Sequence, residues 1–506
     1  MASGLRFLLD LPLIVILMAL AALAMLAPAA HAYALSAHDV GRPFFYSAVV
    51  FLLLTAMIGI ATSNRAIPAR RPSHLKAFVG AYLVLPLLLA VPFNEAVPDT
   101  SFRNAWFEMV SSFTTTGATL YDTPGRLPAT LHLWRAIVGW LGGFYILLMG
   151  VAVLMPLNLG GMEVIEGRSP GHTSMPQMVS ADPSQRLVRF TLTLLPAYAG
   201  FTLLLWILLT LAGEGGFHAL CLAMATVSTS GILPEGGDGP VLSGFLGEAC
   251  IAAFLTLGLT RRAYPGAFFA DRSLPLHQDP EVRMAVALVG GVTAVLFLRH
   301  WVGAIDNDEG QDLWAIANAL WGTAFTALSF LTTTGFAAEQ WVSARIWSGL
   351  ENHGLILLGL AMIGGGVATT AGGVKLLRVY ALFRHGQFEM EKLLHPHSVG
   401  GAGGRARQLR SSGAHVAWVF FMLFATSIAA VVSALTLVGV DFDAALILAI
   451  AALSTTGPLA TLAGEAPVRL AELGHDAKLI LGVAMVLGRV ETLAVLALLT
   501  PDQWRR

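Results

Sequence analysis

Apolar runs of about 20 residues decide the first question about this chain, because a helix of that length crosses the hydrocarbon core of a bilayer. Runs at 7–30 and 44–62 reach that scale, and further ones follow along the chain. Of the 506 residues, 56% are hydrophobic and only 12% charged. A soluble domain carries about 25% charged residues, so buried cores do not account for the difference. The chain reads as an all-α, polytopic integral membrane protein embedded in lipid. A net charge of −1 leaves no basic excess for nucleic acid. Cys221 and Cys250 stand in apolar surroundings without metal-ligand or CxxC spacing, and read as small buried hydrophobes.

Residues 7–30 follow Arg6, and Ala30-His31-Ala32 resembles a signal-peptidase site. A signal core spans only about 7–15 apolar residues, so a retained first span is the preferred reading. Two leading spans within 1–71 then precede four units, at 72–160, 186–262, 281–385 and 412–506. Each reads as a long span, a shorter half-apolar segment, a glycine loop and another long span. The loop glycines Gly117, Gly231, Gly335 and Gly457 are separated by 114, 104 and 122 residues, which points to four pseudo-repeats around one centre.

Lys and Arg concentrate in alternate connections: Arg65, Arg70, Arg71 and Lys76; Arg168, Arg186 and Arg189; Arg261, Arg262, Arg272 and Arg283; Lys375, Arg378, Arg384, Lys392, Arg405, Arg407 and Arg410; and the final Arg505-Arg506. The positive-inside rule makes these cytoplasmic, with both termini inside and all four glycine loops outside. The outer segments carry acids, among them Glu95, Asp99, Asp122, Glu214, Asp306 and Glu465. These form either a cation-concentrating vestibule or a merely solvated face.

The loops read Thr114-Thr115-Thr116-Gly117-Ala118, Ser228-Thr229-Ser230-Gly231-Ile232, Thr332-Thr333-Thr334-Gly335-Phe336 and Ser454-Thr455-Thr456-Gly457-Pro458. Each follows about 10–14 residues rich in Ala, Phe and Leu, starting at Phe102, Phe217, Trp314 and Phe442. That is too short to cross but long enough for a re-entrant half-helix. Non-helical backbone at membrane depth must be satisfied by protein or water. A Thr-Gly turn there can aim carbonyl oxygens at a dehydrated cation, and the half-helix C-terminus adds partial negative charge. Taken singly, such a turn is more readily a helix C-cap. Four on one side of the membrane make a carbonyl ring of the kind that selects K⁺. The expected filter set is Thr115, Thr116, Gly117, Thr229, Ser230, Gly231, Thr333, Thr334, Gly335, Thr455, Thr456 and Gly457, with K⁺ held at Thr116, Ser230, Thr334 and Thr456.

On these loops the chain resembles the TrkH/KtrB/HKT superfamily of K⁺ (and some Na⁺) transporters, nearest the bacterial TrkH branch. Two further stretches carry the resemblance: Gly364-Gly365-Gly366-Val367-Ala368-Thr369-Thr370-Ala371-Gly372-Gly373-Val374-Lys375, and Gly488-Arg489-Val490-Glu491. In this superfamily a Ser at the first loop glycine tends to accompany Na⁺ conduction, and all four positions are Gly here. The second loop departs from the family pattern at Ser230 and Ile232, making it the expected weak quarter for selectivity. The resemblance also implies a homodimer, an inner-membrane location and a separate cytoplasmic nucleotide-binding regulatory subunit of the TrkA type.

Five glycines (Gly364, Gly365, Gly366, Gly372 and Gly373) inside an apolar span break its helix, each costing about 1 kcal/mol against Ala. The expected result is a flexible gate beneath the filter, against the alternative of a small-residue packing face. Arg489 lies in the last apolar run, where facing the pore it would repel cations. A direct pair with Glu491, two residues away on a helix, is disfavoured. Lys375 either adds to this barrier or snorkels to the interface. His172, His395 and His397 lack partners at ligand spacing, so no metal site is expected besides the transported K⁺. No nucleotide loop is evident, and the chain reads as a transporter, not an enzyme, with no bound cofactor. The rival readings are Na⁺ or mixed Na⁺/K⁺ conduction, and a cation-coupled secondary transporter, which would need inverted repeats.

Overall fold

A computed structural model of the chain describes residues 11–62, 71–121, 123, 125–157, 159–162, 183–234, 244–264, 276–304, 313–347, 353–394 and 411–491. All regular structure among them is helical, and seven helical stretches are long and apolar enough to cross a membrane. The chain is a multi-pass membrane protein. Helices α1 (Leu13–Ala24) and α2 (Leu26–Ala34) run on as one span and pair with α3 (His38–Thr62). This leading hairpin is tied to the rest at His31, whose Nδ1 lies 3.0 Å from Thr130 Oγ1 and whose ring stacks on Phe217.

Four long helices follow at intervals: α4 (Arg71–Ala96), α7 (Pro183–Leu211), α10 (Pro280–Ala304) and α15 (Ser411–Leu437). Leu192 and Leu203 on α7, and Val286 and Val295 on α10, are exposed apolar side chains suited to lipid. Each long helix is followed by a shorter one: α5 (Phe102–Phe113), α8 (Gly216–Ser228), α11 (Leu313–Leu331) and α16 (Phe442–Leu453). Their C-terminal turns are buried, and each ends at a Thr-Gly loop. The third is longer than the sequence reading allowed, at 19 residues. Ala and Leu favour helix from its first turn onward, so nothing ends it before Thr332.

The helices after the loops are interrupted or end irregularly, although the first runs on as the long apolar span Ala129–Leu157 that the sequence led one to expect. α6 (Ala129–Met149) passes into a π-helical turn at Gly150–Leu154 and a 3₁₀ turn at Met155–Leu157. α9 (Gly244–Leu255) tightens to 3₁₀ at Thr256–Gly258. In the third unit, after the short α12 (Trp341–Trp347), α13 (Gly354–Ile363) stops at Gly364, and α14 (Leu376–Leu394) begins only after the Gly-rich stretch. The short α17 (Leu459–Leu462) follows the fourth loop, and α18 (His475–Val490) ends at Glu491, whose φ is +67°. Every closing helix is therefore irregular near its end, and these irregularities gather around the Gly-rich stretch. Gly150 faces Ala368, and the Gly258 carbonyl accepts from Gly366 N (2.9 Å).

Candidate functional site

The four short helices end in the same backbone motif. Thr115 N donates to the Ser112 carbonyl and Thr116 N to that of Ser111. The same pair of bonds recurs from Thr229 and Ser230 to Thr226 and Ala225, from Thr333 and Thr334 to Phe330 and Ser329, and from Thr455 and Thr456 to Ala452 and Ala451. This is the Schellman C-cap, in which one residue past the helix turns left-handed. That residue is Thr115 (φ +55°), Thr229 (+51°), Thr333 (+58°) and Thr455 (+56°). Glycine is the usual occupant, and a β-branched residue is disfavoured there by about 1–2 kcal/mol. Four threonines in that conformation mark a place where the hydroxyl is worth the strain. The C-cap that the sequence allowed is thus present at all four loops.

Hydroxyls fix each turn in the same way. The residue before the left-handed threonine bonds to the residue after it: Thr114 to Thr116 (2.8 Å), Ser228 to Ser230 (3.0 Å), Thr332 to Thr334 (3.1 Å) and Ser454 to Thr456 (3.2 Å). Ser230 makes this bond as the threonines do. The Thr115 and Thr455 hydroxyls are buried without a hydrogen-bond partner, while Thr333 Oγ1 accepts from Gly372 N (2.7 Å) and Thr229 Oγ1 donates to the Ser228 carbonyl (2.8 Å).

The turns meet in a closed ring. A Cβ on Gly117 would collide with the Ser230 carbonyl oxygen, and one on Gly231 with that of Thr334. A Cβ on Gly335 would strike Pro458, and one on Gly457 the backbone of Ala118. Each glycine thus admits its neighbour, in the order first, second, third, fourth, first. The fourth turn departs from the rest. Gly117, Gly231 and Gly335 have φ of +75°, +63° and +84°, whereas Gly457 is absent from the left-handed set and donates its N–H to the Thr116 carbonyl (2.6 Å). The sequence expected the second loop to be the weak quarter for selectivity; in backbone geometry the turn that differs is the fourth, where Pro458 follows the glycine. Ile232 in the second loop simply packs against Gly139 of α6.

Buried acids brace the segments beyond the turns. Glu108, on α5 and fully buried, accepts from Leu120 N (2.5 Å) and Thr119 Oγ1 (3.0 Å) and pairs with Arg135 Nε (3.0 Å). Glu248, on α9, accepts from Glu339 N and Trp321 Nε1, both at 2.6 Å. His353 Nε2 lies 2.9 Å from the Leu462 carbonyl.

The Gly-rich stretch runs immediately beside this ring. Gly364 (φ +73°) and Gly373 (φ +76°) lie against each other and leave no room for a side chain on either. Gly372 packs on Ser454 and Thr455, and Thr370 Oγ1 reaches the Val227 carbonyl (3.3 Å). A cavity follows, lined by Ala368, Thr369, Ala371, Gly372, Gly373, Lys375, Gly488, Arg489 and Glu491 together with Ile146, Gly150, Leu154 and Gly160. Gly365 and Gly366 are pressed against the 258–259 backbone. The sequence-predicted gate residues therefore converge.

Three charges behave differently from their neighbours. Arg489 is buried beside the Tyr82 hydroxyl, with its Nε and Nη2 lacking a hydrogen-bond partner. Glu491 pairs not with Arg489 but with Arg378 (2.8 Å), whose guanidinium lies 3.7 Å from the Phe420 ring centre. Lys375 (φ +87°) does not snorkel; its Nζ turns back to the Ala371 carbonyl.

The same arrangement of helices is known elsewhere. The crystal structure of the potassium transporter TrkH from Vibrio parahaemolyticus superposes with a TM-score of 0.80 at 25% identity, covering 98% of this chain and 100% of that one. The family model TrkH, described as a cation transport protein, matches residues 252–503. The chain belongs to the TrkH family. Among curated relatives, the Trk system potassium uptake protein TrkH of Escherichia coli (strain K12) is 27% identical, over 92% of each chain. The protein of that name from Vibrio parahaemolyticus is 28% identical, over 97% of this chain and 98% of its own. The Trk system potassium uptake protein TrkG of Escherichia coli (strain K12) is 26% identical over 91% of both.

Within this TrkH family member several sequence expectations change. Arg378, counted among the cytoplasmic charges, is fully buried in an ion pair. Glu214, counted among the outer acids, is buried and bonded to His218 Nδ1 (2.9 Å). His172, His395 and His397, Asp122 and Asp306, and the final Arg505-Arg506 lie outside the described residues. Sequence reasoning passed over Glu108, Arg135, Glu248 and Glu281. For the first three the available signal was an acid or base inside a largely apolar helix, which by default warrants a functional question.

Proposed function

We propose that this chain takes up K⁺ across the inner membrane, through a filter made by its four Thr-Gly turns acting as pseudo-repeats around one pore. The observation that carries the reading is the left-handed threonine at the cap of all four helices, with buried, unpartnered hydroxyls at Thr115 and Thr455. Unpaired buried hydroxyls are rare in folded proteins, and a dehydrated cation is the ligand that a ring of carbonyls and hydroxyls would accept. The hydroxyls of Thr116, Ser230, Thr334 and Thr456 serve the turns themselves, so K⁺ at that level is held by their carbonyl oxygens. Entry of the ion replaces the Gly457 N–H bond to the Thr116 carbonyl.

The Gly-rich loop is the gate. It lies directly against the third and fourth turns, and Lys375 and Arg489 put positive charge into the cavity it lines. In that position a guanidinium opposes cation passage until the loop moves. The names of the relatives, all Trk system potassium uptake proteins, support K⁺ as the cargo. The Trk system naming supports a multi-component assembly, and the proposal extends to a separate regulatory subunit of the TrkA type acting on a homodimer with cytoplasmic termini. A second reading, mixed Na⁺/K⁺ conduction, draws on the fourth turn. A quarter with different backbone geometry would hold the ring less strictly to one ion size.

The test is uptake of ⁸⁶Rb⁺ into proteoliposomes containing the purified protein, with K⁺ and Na⁺ as competitors and the regulatory subunit present in parallel samples. The reading requires Rb⁺ uptake suppressed by K⁺ at lower concentration than by Na⁺. Equal competition favours the second reading, and no alkali-cation uptake under either condition refutes both.

A further inference from the structure

The Gly-rich loop is held from two sides. Towards the ring it uses Gly372 and Thr370, as described. Away from the ring its tip is Val367, a fully buried residue whose side chain packs on Gly161. The Val367 N–H donates to Glu281 Oε1 at 2.7 Å. Glu281 stands in the first turn of α10, at the other end of the same unit, 86 residues earlier in sequence. It is buried, and its second oxygen lies 3.9 Å from Arg261 Nη1.

A small polar cluster surrounds that carboxylate. Asp279 accepts from Thr260 Oγ1 (2.9 Å) and from Glu281 N (3.0 Å), and pairs with Arg262 Nε (3.3 Å). Thr260, Arg261 and Arg262 directly follow the irregular end of α9, whose Gly258 carbonyl also holds Gly366 N and Thr369 Oγ1. One short segment, 258–262, therefore contacts the loop at its backbone and contacts the acid that holds the loop tip.

A backbone N–H inside a Gly-rich loop has many ways to be satisfied once the loop moves into water. A buried carboxylate does not, since it would lose its strongest donor. The bond thus favours the present position of the loop over displaced ones. Its counter-charge comes from Arg261, so displacing the 260–262 turn would weaken the hold without touching the loop itself.

We propose that Glu281 is a positioning residue that latches the Gly-rich loop in the pore-closing position, and that the 260–262 turn with Asp279 is the handle through which the latch is released. The inference rests on the gate reading above, and its test separates the two. In a background with Cys221 and Cys250 replaced by Ala, Ala368→Cys on the cavity wall reports loop opening through its rate of reaction with a water-soluble thiol reagent. Loop opening is compared with Glu281 intact, with Glu281→Gln and with Glu281→Leu, beside Rb⁺ uptake and Na⁺ competition in the same full-length preparations.

Removing the carboxylate is expected to speed labelling of Ala368→Cys by about tenfold, as loss of a hydrogen bond to a charged group implies. Glu281→Gln, which keeps an acceptor oxygen, falls between the wild type and Glu281→Leu, and the ion preference stays unchanged. If Glu281→Leu does not fold, Glu281→Gln alone carries the comparison. Labelling and uptake at wild-type rates in the folded variants overturn the latch, as does reduced uptake with unchanged labelling. Faster labelling in a protein that conducts no cation leaves the latch standing and removes the gate reading.

Discussion

The Thr-Gly ring and the belt of broken helices beside it both put irregular backbone deep in an apolar protein, and they solve that problem in opposite ways. In the ring, all four quarters use one answer: a Schellman cap, a left-handed threonine and a hydroxyl pair across it. In the belt, each quarter has its own: a π turn at Gly150, a 3₁₀ turn at Thr256, a twelve-residue break at 364–375, and a left-handed Glu491. A filter of the kind proposed would need sameness, because its four parts would address one ion from four sides. A gate of the kind proposed would need difference, because only one quarter supplies the Gly-rich loop and the other three are fitted around it.

The largest effect that could break this contrast is at Gly231. There an alanine Cβ meets the Thr334 carbonyl oxygen on a backbone with φ +63°. Gly231→Ala is expected to lower ⁸⁶Rb⁺ uptake roughly a hundredfold, since displacement of well-set groups by an ångström is enough to do so. The identical change at Gly359, which has open space around it, should leave uptake near wild type. Comparable losses at both sites would mean that the ring glycines have no special role.

Next comes Thr115→Gly. It relieves the left-handed strain but deletes an unpartnered hydroxyl. Uptake should fall roughly tenfold, as for loss of one ligand group of about 1.4 kcal/mol, while the melting temperature holds or rises. A fall in both would assign the threonine to packing.

In the belt, Arg489→Ala removes a charge from the cavity and should raise uptake a few-fold, roughly the effect of a screened unit charge. A folded variant with lower uptake would instead give Arg489 a structural duty. The smallest effect is expected from Ser230→Thr, because serine already makes the bond that threonine makes in the other turns. Because Ser230 is buried, the added methyl should cost about 1 kcal/mol of stability and leave Na⁺ competition unchanged. A gain in K⁺ preference would return the weak quarter to the second loop.

How much of this could be read beforehand depends on repetition. The Thr-Gly turns were legible because four copies of a short pattern at similar spacing have few explanations. The Gly-rich break was legible because helices tolerate few glycines. The left-handed threonines were not, since propensity alone would assign φ > 0 to glycine. Glu108 and Glu248 stand in largely apolar helices and Glu281 in a charged first turn, and nothing in a single letter says which backbone N–H it will face. Arg378 misled because a cation near a basic cluster satisfies the positive-inside pattern equally well when it is buried against Glu491 and Phe420. The π and 3₁₀ turns lie in continuous apolar sequence, where hydropathy carries no record of hydrogen-bond register.

The one-way order of contacts around the ring, each glycine admitting the next turn, has a consequence for descent. A pore assembled from four copies of one chain inherits every codon change fourfold, and a tolerable alteration in one place becomes four at once. Here each quarter has its own stretch of gene, and a substitution enters in one place at a time. Pro458 behind the fourth glycine is the kind of asymmetry this permits: one quarter can change while the other three keep the geometry they share.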